Sequence, residues 1–571
     1  MGYRPLDTTG DLDIFNTRDT SPATFSKLTM NKEALQHVGV FLRQERQILL
    51  TILMYSAAVG VFSLIIPVTV QELVNTFALA IQPIMVVTLV SIMAGVLIFV
   101  GVFKVLQFYA TDLLERRIFV RFTLAFARTF PSIQEAHFRG EYASRFFEIV
   151  FMQRAVASLL VDLTNVVVGG FIGMVLLVLY HPYFLVFDLL LLLAIGVIGV
   201  LGQGGLQSTL YMSETKYATY HWFQEVADNL SHFKSSLSRD LILQKADSLA
   251  HAYVHARESR LRVLIRQYVG SISLQVLLHT GLLGTAGWLM SKGELTLGQL
   301  VAAEVIIATL LLNLDSVVKR TYVIFYFLTA LTEIHHIFSL PKDQEISHQF
   351  VSFPEGSPQG IELSLSHVGG LPPPWPHTFE LTVNLKAGEK WALVSATESQ
   401  RLRISRLLAG LDDPPHGTIR YNEVDIRDLH HDAVNGLRGL VLSRDVSLFE
   451  ATLLENITLG RKTLSTEDLL WVLNFVDLQK EMEHFPDGLQ TLVQYGAKNF
   501  SPSQTIQILL ARALITRPKL LIVDGGLHEI ASPQRETILS RICGVENPWT
   551  AVIVTTDPKI KSFVQHSVIL S

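Results

Sequence analysis

Long apolar runs fill the first part of the chain, and shorter ones alternating with polar stretches fill the rest. Six long runs, at about residues 47–75, 84–110, 156–180, 183–206, 264–290 and 298–328, each reach the ~20 residues that cross a bilayer as a helix. Runs three and four are separated by little more than His181 and Pro182. Long mixed segments follow runs two and four, and both keep helical periodicity through their charges: TDLLERRIFVRFTLAFARTF from Thr111, and the stretch from Ser213 to Leu264. They read as membrane helices prolonged beyond the bilayer, each turning back through a short transverse helix, near Ala136 to Arg145 and near Trp222 to Lys234. Arg116, Arg117, Arg121 and Arg128 lie in the first segment and Lys216, Lys234, Arg239 and Lys245 in the second, whereas the connections around Ala80 and His181 carry no Lys or Arg. The excess of positive charge on cytoplasmic loops puts both termini and both long segments in the cytoplasm. Residues 1–46 form a polar lead in which no cleavable signal peptide is expected. From Asn31, an N-cap, Leu35, Val38, Phe41 and Leu42 share one side of an amphipathic helix suited to the membrane surface.

After Pro341 the pattern changes. A polar linker over 341–358 and the proline-rich patch Leu371 to Pro376 precede WALV, GLVL, LLIVD and AVIVTT, apolar runs that each end at a polar position. Such runs are strands of a mainly parallel sheet that deliver side chains to its C-terminal edge. The expected architecture is a multi-domain membrane protein: an all-α six-helix domain over 47–340, the linker, and an α/β domain over 359–571.

Composition narrows the function. Hydrophobic residues make up 49% of the 571, charged ones 17%, and the mean hydropathy is +0.36, too apolar for a wholly water-soluble chain. A net charge of -5 excludes the basic excess that nucleic-acid binding requires. Cys543, the one cysteine, permits no internal disulfide and no multi-thiolate metal site, and reads as a small core residue in a late helix. No resident metal is expected.

The chemistry converges on Gly388 to Leu411. An apolar strand, a short turn and a helix carrying Leu402, Ile404, Leu407 and Leu408 form the frame of a phosphate-binding loop. Such a loop needs glycines so that its N–H groups face the anion, a lysine for the β and γ phosphates, and a hydroxyl for magnesium. Here GxxGxGK[ST] reads SATESQRL: Ser395, Glu398 and Gln400 stand for glycines, Arg401 for the lysine and Leu402 for the hydroxyl, with Ser399 between. As the first-turn residue of a helix, Arg401 is expected to be solvated.

Six spans, long helical extensions and an α/β domain with a phosphate-loop frame resemble the exporter-type half-transporters of the ATP-binding cassette family, over roughly residues 30 to 571. LFEATLLENITLG (Leu448 to Gly460) is similar to the family's LFxGTIxENI segment, and FSPSQTIQILLARALITRPKLLIVD (Phe500 to Asp524) to its signature, the following helix and the second Walker motif. The resemblance implies a degenerate ABC nucleotide-binding domain after the spans, with ATP and magnesium expected to bind only weakly or through a partner half-transporter. Carried over one at a time, most functional positions differ. In the signature Ser501 and Gln504 persist, but Pro502 and Ser503 replace glycines. Arg444 stands for the magnesium-sensing glutamine, Gly525 for the glutamate beside the retained Asp524, Ala531 for the following aspartate, and Thr556 for the switch histidine. The adenine-stacking aromatic has no clear counterpart, His367 or Trp375 being nearest. No residue is assigned as catalytic, and turnover at this chain's own site is expected to be negligible, since removing even one electrostatic group at a catalytic site costs about 10²- to 10³-fold.

Polar residues within or near the spans, Lys104, Asp162, Asn165, Asp188, His279, Glu304 and Asp315, either line a substrate pathway or pair between helices. Asp162, Asn165, Asp188, His279 and above all Glu304 are the pathway assignments, because the resembled family lines its pathway with span six. The resemblance implies the degenerate subunit of an exporter working with an ATPase-competent second half-transporter in a bacterial inner membrane. The alternative is an ABC-shaped membrane scaffold or regulator that hydrolyses nothing.

Overall fold

The computed structural model describes residues 46–79, 83–134, 140–235, 239–342, 360–369, 380–429, 431–442 and 447–570. The amphipathic helix expected from Asn31, the proline-rich patch with Trp375, and Arg444 lie outside the described residues, as does most of the linker. The chain divides into two compact units, Met1–Pro341 and Lys342–Ser571.

The first unit is helical among its described residues. It runs α1 (Arg46–Ser63), α2 (Ile65–Leu79), α3 (Pro83–Thr129), α4 (Glu148–Tyr180), α5 (Phe184–Leu201), α6 (Gly205–Asp228), α7 (Leu230–Ser235), α8 (Arg239–Ser291) and α9 (Leu297–Phe338). Six segments, two of them broken once, are long and apolar enough to cross a membrane: Arg46–Phe77, Pro83–Ser132, Tyr142–Tyr180, Phe184–Asp228, Arg239–Ser291 and Leu297–Phe338. Length explains the mixed stretches. At 47 and 53 residues, α3 and α8 reach about 70 and 80 Å, more than twice the ~30 Å hydrocarbon core. The second transverse turn comes later than expected: Trp222 is still inside α6, and the chain reverses after Asn229 through the short α7. At the first turn a 3-10 helix covers Gly140–Phe147, and residues 135–139 are not described.

α5 is apolar on every side except at the buried Asp188, as a helix between protein and lipid is. It buries Phe184, Phe187, Leu191, Ala194 and Ile198 and exposes Leu185, Leu189, Leu192 and Leu193. Beyond the apolar runs the helices are tied by charge. Glu148, 2% exposed, accepts hydrogen bonds from Lys216 Nζ and Tyr217 Oη, each at 2.6 Å, and Arg145 pairs with Glu333 at 2.8 Å. Buried ions persist only when paired in this way, so the network holds the ends of α4, α6 and α9 in one arrangement.

In the second unit, β1 (Leu363–Gly369), β2 (Glu380–Leu385), β4 (His416–Tyr421) and β5 (Val424–Asp425) make an antiparallel sheet in the order β2-β1-β4-β5. A parallel sheet in the order β6-β7-β8-β3-β9 joins β3 (Lys390–Ser395), β6 (Arg438–Leu442), β7 (Leu520–Asp524), β8 (Thr550–Thr555) and β9 (His566–Leu570). Helices α10 (Glu398–Leu408), α11 (His431–Leu437), α12 (Leu453–Thr458), α13 (Thr466–Phe475), α14 (Pro502–Leu514) and α15 (Ser532–Ile542) complete the unit. The four apolar runs read from sequence are strands β3, β6, β7 and β8, buried on both faces, so they show continuous rather than alternating hydrophobicity.

Cys543 follows α15, 8% exposed in the apolar core, where burial pushes its thiol up to about 11. Near pH 8 only about a thousandth of it is thiolate, the reactive form. N-ethylmaleimide should therefore leave the native chain unlabelled at pH 7.5 and add one adduct after denaturation, as read by intact mass; rapid native labelling would contradict the packing around α15.

Candidate functional site

The phosphate-loop frame sits at the C-terminal edge of the parallel sheet, between β3 and α10. Its local chemistry follows from the residues that replace glycine. Thr397 is an N-cap whose Oγ1 accepts from Gln400 N at 3.3 Å, so the helix begins at Glu398, before the positions where the last two motif residues fall. Gln400 reaches back, its Oε1 accepting from Ala396 N at 3.1 Å, and Ser395 Oγ donates to the Thr397 carbonyl at 3.2 Å. Two of the N–H groups that a glycine loop would turn toward an anion thus donate to the loop's own side chains.

Arg401 follows on α10, and it is not solvated. Only 3% of its side chain is exposed; its guanidinium pairs with Asp524, wholly buried at the end of β7, and with Glu398 Oε1 at 3.3 Å. The physical reason is Asp524. A carboxylate at the edge of an all-apolar strand draws in the nearest cation, and Arg401 is long enough to reach it. Gly525 makes the room: it has φ +44, and a Cβ there would stand 2.5 Å from Arg401 Cζ. A side chain at 525 and the buried guanidinium cannot coexist in this arrangement. The sequence carried that signal as two complementary substitutions, each read separately as a loss.

The other nucleotide-site positions are more dispersed. Ser399 is exposed against Thr397 Oγ1 at 3.2 Å and Leu402 is half-buried. Ser501 caps α14 reciprocally with Gln504: Ser501 Oγ accepts from Gln504 N at 3.2 Å, and Gln504 Oε1 from Ser501 N at 2.9 Å. Pro502 occupies the first helical position, where its missing N–H costs nothing to the helix. Thr556 is exposed just past β8, Ala531 precedes α15 without a side-chain cap, and His367 pairs with Glu380 on the antiparallel sheet.

In the helical unit four of the five pathway assignments sit in pairs between helices. Asp162 on α4 pairs with Arg320 on α9, Ser158 bridging both. Asn165 accepts from Gln107 on α3 at 3.3 Å, and Gln107 reaches Ser56 on α1 at 2.6 Å. His279 Nε2 lies 3.1 Å from Glu304 Oε1, linking α8 and α9. Asp188 is 5% exposed, and neither carboxylate oxygen is hydrogen-bonded among the described residues. Lys104 is exposed, and Asp315 pairs with Lys319 on its own helix at 2.7 Å. Partners such as Gln107, between Leu106 and Phe108, and Arg320, beside Lys319, belong to no motif, so the sequence gives no sign of them.

Residues 379–527 match the ABC transporter family. The lactococcin-A transport/processing ATP-binding protein LcnC of Lactococcus lactis subsp. lactis is 23% identical over 550 residues, 92% of this chain and 73% of that one. The ATP-dependent permease MDL1 of Candida albicans is 32% identical over 166 residues, but these span 28% of this chain and 24% of the permease. A solved bacterial Atm1-family ABC exporter with ATP bound superposes with a TM-score of 0.80 at 17% identity, over 93% of this chain and 94% of that one. Six segments long and apolar enough to cross a membrane stand ahead of an ABC transporter domain, and the chain is an integral membrane protein with the fold of an ABC exporter.

Proposed function

We propose that this chain is a subunit of an ABC exporter whose own phosphate loop does not take magnesium ATP, and that it moves substrate together with an ATPase-competent half-transporter. The observation that carries this reading is the burial of Arg401 against Asp524 over Gly525. In the family that space belongs to the nucleotide's metal and to a glutamate that polarises water. Here a guanidinium fills it, a leucine stands where magnesium needs a hydroxyl, and two of the loop's N–H groups already donate to its own side chains. The residues present do not fit magnesium ATP, and no hydrolytic step is assigned to them.

Magnitude supports the exclusion. Admitting a nucleotide requires Arg401 to leave a fully buried carboxylate, and breaking such a pair costs about 3–5 kcal/mol. At 1.4 kcal/mol per tenfold, affinity falls by about 10²- to 10³-fold before any lost contact is counted.

Transport is favoured over a scaffold role because relatives matched over 90% or more of the chain carry transport names. Those names speak of lactococcin, and relatives matched over shorter stretches are named for multidrug resistance or efflux, so the names narrow the substrate little. The polar groups assigned to its path are the Glu304–His279 pair, Asp162, Asn165, and Asp188, whose carboxylate has no hydrogen bond among the described residues. Both termini in the cytoplasm accord with the distribution of Lys and Arg, and a bacterial inner membrane is proposed from the likeness to bacterial relatives.

The purified full chain should show no saturable, magnesium-dependent binding of a fluorescent ATP analogue, whereas a homologous half-transporter with intact motifs should co-purify with it and the pair should hydrolyse ATP. Micromolar magnesium-dependent binding by the chain alone would falsify the blocked loop, and ATPase absent from every such pair would count against joint transport. In the solubilised chain, Arg401→Ala should lower the unfolding midpoint of the cassette domain by several degrees, the effect of ~3–5 kcal/mol. Adding Asp524→Asn should recover part of that loss; strictly additive effects would mean that the two side chains are not coupled.

A further inference from the structure

The fourth span is interrupted. α5 ends at Leu201 and α6 begins at Gly205, with Gly204 at φ +85 between them. Such a break releases backbone carbonyls that need hydrogen-bond partners. Span five supplies them with two adjacent residues. Arg266 donates from Nε to the Leu201 carbonyl and from Nη2 to that of Gln203, both at 2.8 Å, and Gln267 Nε2 donates to the Ile198 carbonyl at 3.1 Å. The glycines admit them: a Cβ at Gly202 would collide with the Gln267 amide, and one at Gly205 with the Phe325 ring of span six.

Beside the break lies a cavity of about 330 Å³ lined by residues of spans four, five and six, among them Gln203, Gln267, Leu314, Val317, Thr321 and Phe325. That volume is within the range of small-molecule sites. Its wall is largely apolar, and one polar atom in it is unanswered. Gln267 is 2% exposed, and its Nε2 is committed to a carbonyl, which fixes the orientation of the amide; Oε1 then has no donor among the described residues. Thr321 does not answer it, since its hydroxyl donates to the Val317 carbonyl at 3.1 Å. A buried acceptor without a donor keeps its desolvation cost uncompensated.

We infer that this cavity is a binding site for a small, mainly apolar molecule bearing one hydrogen-bond donor, a hydroxyl or an amide N–H, received by Gln267 Oε1. Interrupted membrane helices lend themselves to this use, because an opened backbone and its partners bring polar groups to an otherwise apolar interior. The site is separate from the Glu304–His279 pair and needs no nucleotide, so it stands or falls independently of the transport reading.

Two probes of nearly equal shape separate the possibilities: 2-naphthol, which carries an O–H, and 2-methylnaphthalene, which does not. Binding of each to the full chain in lipid nanodiscs is measured against empty nanodiscs, so that partition into lipid is subtracted. The expected result is a preference of about 3- to 10-fold for the naphthol, the worth of one net hydrogen bond. Gln267→Leu should remove the preference and keep methylnaphthalene binding, while Val317→Phe, which fills the cavity from span six without touching the break, should abolish both. Equal binding of the two probes, or binding unchanged by Val317→Phe, describes a lipid-filled void and overturns the proposal. Should Gln267→Leu fail to fold, the wild-type preference and the Val317→Phe chain decide the matter alone.

Discussion

A carboxylate with no solvent must have a cation, and at the end of β7 that requirement governs everything around it. Asp524 is completely buried, and an isolated ion in such surroundings costs several kcal/mol. Three local features follow from meeting that cost with Arg401. The loop before α10 closes into a capped helix, since no ligand needs its N–H groups. Residue 525 is glycine, since the guanidinium lies where a side chain would begin. Glu398 sits one turn back, its carboxylate against the other end of the guanidinium. Three apparent losses in the motif are thus one packing solution.

The helical unit obeys the same rule in a drier solvent. Its polar side chains mostly meet one another across helices, Asp162 with Arg320, Asn165 with Gln107, Glu304 with His279, and at the helix ends Glu148 with Lys216. Backbone groups freed by the break in span four are met by Arg266 and Gln267. Against that background Asp188 and one oxygen of Gln267 are among the buried polar groups that find no hydrogen-bond partner among the described residues.

Spans, extensions and the parallel strands were legible because each rests on a period or a length that the chain carries locally: runs of about 20 apolar residues, 3.6-residue periodicity through Thr111 to Phe130, and uninterrupted β-formers in LLIVD. The interior of the site was less so. Arg401 read as a solvated helix-start residue because helix periodicity says nothing about a carboxylate more than a hundred positions away. Gly525 read as a missing base because sequence shows which side chain is absent and not what occupies its space. The polar pairs of the spans were seen one partner at a time, Asp162 without Arg320, since the resulting contact depends on how α4 and α9 are packed. The break at Gly202 to Gly205 passed unnoticed inside an otherwise continuous apolar run, although GQGG is a plain helix-ending signal.

An ion pair is a costly way to fill a vacated ligand site, and that cost bears on what the domain does. Replacing a buried pair by apolar residues of similar volume is often neutral or stabilising, so stability alone would not retain Asp524. What the charged pair adds is direction: a guanidinium presents donors in a fixed plane and locks the start of α10 to the end of β7 in a way that leucines could not. Where a nucleotide holds those two elements together, the hold scales with ligand concentration, as RT ln(1 + [L]/Kd). With Arg401 the hold is covalently attached and constant. On the proposed reading, then, this half of the exporter keeps the geometry of an occupied site at every nucleotide level, and the response to ATP resides in the other subunit.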